Sequence, residues 1–244
     1  MAKANHLGSD ITYDVMGEGP TVVLQHGLFG NRQSWIERGF TRTLQRHYQL
    51  VLIDSLGHGE SAKPHGRERY SVQNRAGDIV AVLDDIGIDK VHYIGYSMGG
   101  WIGTGMARHH ADRLHSLTIG GWDCKNGVAR AVEQMGFVDF ATLIEGAKSM
   151  DAEIAAGIEA GDSVAFEACW NALCEIEGAP EAIVRANVPT LLWCGKDDPY
   201  FPEVEVLSSE IATSFLETGG DHIGAMNTYA DEAVQGLLEF LQQL

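Results

Sequence analysis

Short runs of consecutive apolar residues recur along the chain. Between them lie longer stretches whose apolar positions repeat every three or four residues. Thr21 to Gln25, Tyr48 to Ile53, Val91 to Tyr96, Leu114 to Gly120 and Pro189 to Cys194 are the short runs. Each has the length of a strand buried on both faces. Ile11 to Met16 alternates weakly and reads as a further strand, closed by the turn Gly17-Glu18-Gly19-Pro20. Ser214 to Glu217 reads as a late one. Asn31 is placed to cap a helix running to about His47. Ser71 is placed to cap another, with Ile79, Val82, Leu83 and Ile86 at helical spacing and Gly87 at its end. Gly100, Trp101, Ile102, Thr104 and Met106 open a buried helix, and a last helix runs from about Tyr229 to Leu244. Strands that alternate with helices predict an α/β fold, a mostly parallel central sheet with helices on both faces.

The rhythm changes between residues 123 and 187. No clear strand shows there, and Val164, Phe166, Cys169, Trp170 and Leu173 are spaced as on a helix. The stretch is too long for a simple crossover. The expected division is a core of residues 1–122 and 188–244, with 123–187 as a helical lid inserted over the sheet. Between Ala141 and Val184 this segment holds nine acidic residues against one basic residue, Lys148. That predicts a strongly negative outer face.

Composition narrows the function classes. A chain of 244 residues, 45% apolar, can bury a full core and is not disordered. Its net charge of −17 argues against nucleic acid or anionic membranes as partners. The first ten residues have no apolar core of a signal peptide, and no run approaches the roughly 20 apolar residues that span a bilayer. Cys124, Cys169, Cys174 and Cys194 show no C-x-x-C spacing and read as reduced thiols. These features predict a cytoplasmic protein.

The candidate chemistry sits at strand ends. Val91 to Tyr96 leads into Gly95-Tyr96-Ser97-Met98-Gly99, a strand that turns sharply into a helix. Glycines two before and two after the serine remove Cβ atoms that would clash in so tight a turn. A serine hydroxyl is a weak nucleophile at neutral pH and needs a base, and the base needs an orienting carboxylate. Two later loops supply candidates, Gly195-Lys196-Asp197-Asp198-Pro199 and Gly219-Gly220-Asp221-His222. His222 is the one histidine of ten that follows a late strand and a glycine pair. Asp197 and Asp198 compete for the acid, with Asp123, just past an earlier strand, as a third position. Asp221 adjoins His222 and reads as a turn residue.

The whole chain resembles the α/β-hydrolase superfamily, in its small serine esterase and lipase-like branch. The resemblance rests on His26-Gly27, on Asp54-x-x-Gly57-His58-Gly59-x-Ser61, on Gly95-x-Ser97-x-Gly99, on Gly195-x-x-Asp198 and on Gly220-x-His222. It implies a catalytic triad of Ser97, Asp198 and His222, the acid falling three residues after Gly195. It implies oxyanion donors at the backbone N–H groups of Leu28 and Met98. His26 and His58 then read as braces for their loops. Phe29 and Tyr96, with Trp122, Met135, Phe137, Phe140 and Trp170 from the lid, are candidate pocket residues. The implied reaction is hydrolysis of a small or medium carboxylic ester through an acyl-enzyme, with no metal or organic cofactor. The same triad also serves lactonases, carbon–carbon bond hydrolases, perhydrolases and acyltransferases. A small-molecule receptor with slow hydrolysis has overlapping features. Oligomeric state is not encoded in these motifs.

Overall fold

The computed structural model describes residues 1–129, 132, 136–137 and 139–244. Eight strands form one sheet: β1 Ala2–His6, β2 Ser9–Met16, β3 Thr21–Gln25, β4 Gln49–Ile53, β5 Val91–Tyr96, β6 Leu114–Gly120, β7 Thr190–Gly195 and β8 Ser214–Thr218. Their order is β1-β2-β4-β3-β5-β6-β7-β8, so β5 lies inside the sheet between β3 and β6. β1 and β2 pair antiparallel, as do β2 and β4, and all later pairs are parallel. β1 has no counterpart among the sequence expectations. Only Ala4 of its five residues is buried, so it carries too little apolar signal to be read.

The apolar runs are buried on both faces because their side chains alternate between two layers. Val23, Val51, Ile53, Tyr93, Leu192 and Cys194 point into one core. Val22, Leu24, Leu50, Leu52, Ile94, Leu191 and Trp193 point into the other. The first core is closed by α3 (Val72–Asp85) and α4 (Met98–His109). Ser71 caps α3 as expected, its hydroxyl accepting the Asn74 N–H. The second core is closed by α1 (Ser34–Glu37), α2 (Phe40–Leu44) and the C-terminal helix, α10 (Ala230–Leu241). The single helix expected from Asn31 to His47 is thus two short ones. Gly39, at φ 84°, breaks it, and Asn31 accepts the Gln33 N–H outside the helix.

Among the described residues, four further helices lie between β6 and β7: α5 Phe140–Met150, α6 Ala152–Ala160, α7 Ser163–Ala172 and α8 Ala179–Ala186. Asp139, Asp151 and Asp162 cap the first three with their carboxylates. α9 (Phe201–Glu210) packs after β7. Phe137, Leu143, Ala147 and Phe166 form a small apolar cluster with Phe29, which belongs to the loop after β3. No helix among the described residues is long and apolar enough to cross a membrane.

The loop after β4 is organised by one buried carboxylate. Asp54 Oδ1 accepts the Arg32 N–H at 2.8 Å, and Oδ2 accepts the Glu60 N–H at 2.8 Å together with Arg32 Nη1–H. Arg32 reaches on to Asp14 of β2 at 2.6 Å, so the cluster ties two loops to that strand. Asp54→Ala removes the acceptor for two amides and a buried guanidinium. It is expected to destabilise the fold by about 3–5 kcal/mol. The check is thermal unfolding, with the midpoint lowered by roughly 10 °C.

Candidate active site

Ser97 stands at the crossing of β5 and α4 with φ 55° and ψ −116°, a conformation that side chains seldom adopt. Its N–H donates to Gly120 O of β6 at 2.8 Å, and its carbonyl accepts the Trp101 N–H. The flanking glycines are required by close approach. A Cβ on Gly95 would lie 2.1 Å from Gly99 O, and a Cβ on Gly99 would lie 2.1 Å from Gln25 O of β3. The first turn of α4 begins at Met98, so its dipole points positive toward the serine.

His222 bridges Ser97 and Asp198. Its Nε2 lies 3.0 Å from Ser97 Oγ and its Nδ1 2.7 Å from Asp198 Oδ2. An ionised carboxylate only accepts, so Nδ1 carries the proton and Nε2 presents a lone pair to the hydroxyl. Asp198 is buried, and its Oδ1 accepts the Tyr200 N–H at 2.9 Å. The competing carboxylates lie elsewhere. Asp197 is exposed. Asp123 accepts the Lys125 and Asn126 amides. Asp221 caps its own turn through the Ile223 and Gly224 amides. Burial works against a charged His222, but the Asp198 charge and hydrogen bond outweigh it, with Asp221 adding, and its pKa is raised above the ordinary value. A raised histidine pKa falls when a carboxylate that favours the charged ring is removed. Asp221→Asn keeps the turn-capping oxygen, so the His222 titration midpoint, followed by NMR, should move to lower pH with the fold intact. A midpoint that stays or rises would contradict this electrostatic account.

Tyr96 was expected in the pocket and has a second task. Its O–H donates to the His222 carbonyl at 2.8 Å. This anchor was not read from the sequence. The available signal was Gly120-Gly121 at the end of the next strand, where any Cβ would fall within 2.7 Å of the Tyr96 ring.

The loop after β3 closes the other side. A Cβ on Gly27 would lie 3.2 Å from Ser97 Cβ. His26 Nδ1 faces Gly27 O at 2.8 Å and Nε2 accepts the Ser55 N–H at 3.0 Å. His58 Nδ1 faces Leu56 O at 3.2 Å and Nε2 accepts the Phe29 N–H at 3.2 Å. Both rings are therefore neutral and protonated on Nδ1. Burial pushes His26 down to about 4 and His58 well below its ordinary value. Among the described residues, the Leu28 and Met98 amides have no protein acceptor.

These groups open into a cavity of about 400 Å³. Of the candidate pocket residues, Phe29, Tyr96, Trp122, Phe137 and Trp170 border it. Phe140 does not. As the first residue of α5 it packs behind the wall, against the Phe137–Leu143 cluster. Met135 lies outside the described residues. Ile154, Leu143 and Met226 complete the wall. One ion pair also borders it: Glu153 of α6 accepts from Arg38 Nη2 at 3.0 Å and from Ser34 Oγ at 2.6 Å. These residues were missed because helix spacing alone does not say which face of α5 or α6 turns toward the sheet. Among the described residues, no cluster of three or more His, Cys, Asp or Glu could hold a metal ion.

The family profile of the alpha/beta hydrolase fold matches residues 20–132. A protein of Bacillus subtilis, provisionally named 2-succinyl-6-hydroxy-2,4-cyclohexadiene-1-carboxylate synthase, is 36% identical over 124 residues. That match spans 49% of this chain and 44% of the relative, less than half of its length. The 3-oxoadipate enol-lactonase 2 of Acinetobacter baylyi is 25% identical over 228 residues, 85% of this chain and 84% of that protein. Among solved structures, the enol-lactonase from Burkholderia xenovorans LB400 superposes with a TM-score of 0.82, covering 99% of this chain and all of that one. At 23% identity this is a likeness of fold. The chain has the α/β-hydrolase fold.

Proposed function

We propose that the protein is a serine hydrolase that cleaves small to medium, uncharged carboxylic esters through an acyl-enzyme. The observation that carries this reading is His222, held by Asp198 on one ring nitrogen and facing Ser97 Oγ on the other, beside a largely apolar cavity. His222 Nε2 takes the proton as Ser97 attacks the acyl carbon. The developing oxyanion is received by the Leu28 and Met98 amides, whose donors need no reorientation. His222 then protonates the departing alcohol, and water repeats the sequence on the acyl-enzyme. Asp198 holds the ring in its working tautomer and stabilises the imidazolium. Residues 123–187 act as a lid that excludes water and shapes the acyl site.

The substrate class follows from the wall. Among the described residues that line the cavity, Arg38 is the one lysine or arginine, and it is already matched by Glu153. The acidic residues of the lid add negative potential outside. Both disfavour an anionic ester. A lactone is a second reading, supported by the enol-lactonase matched over most of both chains. It is a cyclic ester, opened by the same steps.

Ser97→Ala is expected to lower turnover of a short p-nitrophenyl ester by about 10⁴-fold or more, and Asp198→Asn by about 10⁴-fold. A fluorophosphonate should add to Ser97 and be seen by mass spectrometry. Repeated turnovers support an enzyme, whereas tight binding with one slow turnover would mark a receptor. Uncharged and anionic esters of equal length, compared at low and high salt, test the substrate class. Preference for the anionic ester, weakening as salt rises, would overturn it.

A further inference from the structure

The ion pair on the cavity wall is incomplete. An arginine and a carboxylate commonly make two parallel bonds, one to each carboxylate oxygen. Here Glu153 Oε2 accepts from Arg38 Nη2 at 3.0 Å, but Oε1 is taken by Ser34 Oγ at 2.6 Å. Arg38 Nε–H is left buried, with no acceptor among the described residues. Trp35 stands three residues earlier, so the two side chains are neighbours on one face of α1. The Trp35 ring is fully buried, and its Nε1–H also lacks an acceptor. Both residues border the cavity that holds Ser97 and His222. A buried donor without an acceptor is costly, and most of all on a charged group.

We propose that Arg38 and Trp35 form a polar subsite for a neutral oxygen of the substrate, held away from the scissile bond, and so select oxygenated esters over plain alkyl ones. A keto, ether or second ester oxygen has the required chemistry. The inference rests on the hydrolase reading of Ser97 and deepens it. Charge and hydrogen bonding make different demands at this corner. The charge of Arg38 is answered by Glu153, so a substrate carboxylate gains little there. Its Nε–H is not answered, so a neutral acceptor gains a bond that the protein itself does not supply. A methylene in the same place leaves both donors buried and unpaired. That penalty is how a polar site rejects an isosteric analogue that lacks the matching group. Trp122 is the competing position, since its Nε1–H is also buried without an acceptor and it too borders the cavity. It follows β6, on the other side of β5 from the loop that carries α1, and it is a single neutral donor.

The test compares esters of equal length that differ by one oxygen in place of a methylene. p-Nitrophenyl hexanoate is set against its 4-oxa analogue, and pentyl acetate against 2-ethoxyethyl acetate, so the oxygen is offered on the acyl side and on the alcohol side. After division by the rates of alkaline hydrolysis, kcat/KM should favour the oxygenated ester by about tenfold in at least one pair. Arg38→Lys keeps a cation opposite Glu153 but has no Nε–H, and should bring that ratio below about threefold. Trp35→Phe should lower it as well. Should the lysine variant fail to fold, Arg38→Gln, which still offers Glu153 a donor, takes its place. No preference for oxygen in either pair would overturn the inference in the wild-type protein alone. A preference that survives in Arg38→Lys, or that is lost only in Trp122→Phe, would overturn it too. Ser97→Ala is measured alongside. If it turns the esters over as the wild type does, the hydrolase reading itself fails; if it is inactive while the wild-type ratios are flat, only the subsite falls.

Discussion

The backbone crossing at Ser97 is the constraint on which the site depends. β5 must stop, reverse direction and enter α4 within one residue, and that residue carries φ 55° and ψ −116°. Such strain persists only where neighbouring structure over-determines it. Here the Gly99 backbone presses on Gln25 of β3 and Gly95 presses on Gly99, so the elbow is wedged between two strands and a helix. The hydrogen bond from the Ser97 amide to Gly120 ties it to a third strand. Loosening any of these contacts would let the serine relax out of reach of His222.

The loops around the elbow face a different problem. They are irregular, yet much of their polar backbone is buried, where each unpaired group is costly. Buried side chains of fixed protonation supply the partners. Asp54 accepts two amides and a guanidinium. His26 and His58, both neutral, join the loop after β3 to the loop after β4 through one donor and one acceptor each. A charged ring would donate from both nitrogens and break one of those contacts. Burial that pushes these imidazoles down in pKa therefore preserves the frame in which Leu28 and Ser97 sit.

The sheet and the positions proposed to carry the chemistry were legible in the sequence for a shared reason. Parallel strands buried on both faces give unbroken apolar runs, and their C-terminal ends mark the site. Ser97, Asp198 and His222 each follow such a run, and the structure brings them within hydrogen-bond distance. The cavity wall was only partly legible. Phe137 and Trp170 turn inward but Phe140 does not, because one residue of rotation on a short helix decides between wall and backing. β1 was invisible, since a half-exposed edge strand needs little apolar content. The helix expected from Asn31 failed at Gly39, whose left-handed conformation splits the pattern without disturbing the apolar spacing of Trp35, Phe40 and Leu44.

The acidity of residues 141–184 acquires a structural meaning that composition alone did not suggest. Asp151 and Asp162 satisfy the first amides of α6 and α7, where negative charge also meets the positive end of the helix dipole. Asp139 does the same for α5 just before the segment. Glu175 accepts the Val72 N–H at the start of α3, and Glu153 turns inward to Arg38 and Ser34. Four of the nine carboxylates are thus committed to holding short helices and fastening them to the sheet. Helices of this length are marginal without caps and tertiary contacts. The negative charge is in part the means by which a run of short helices forms the wall of the cavity, and only the remainder is free to act at a distance on a charged substrate.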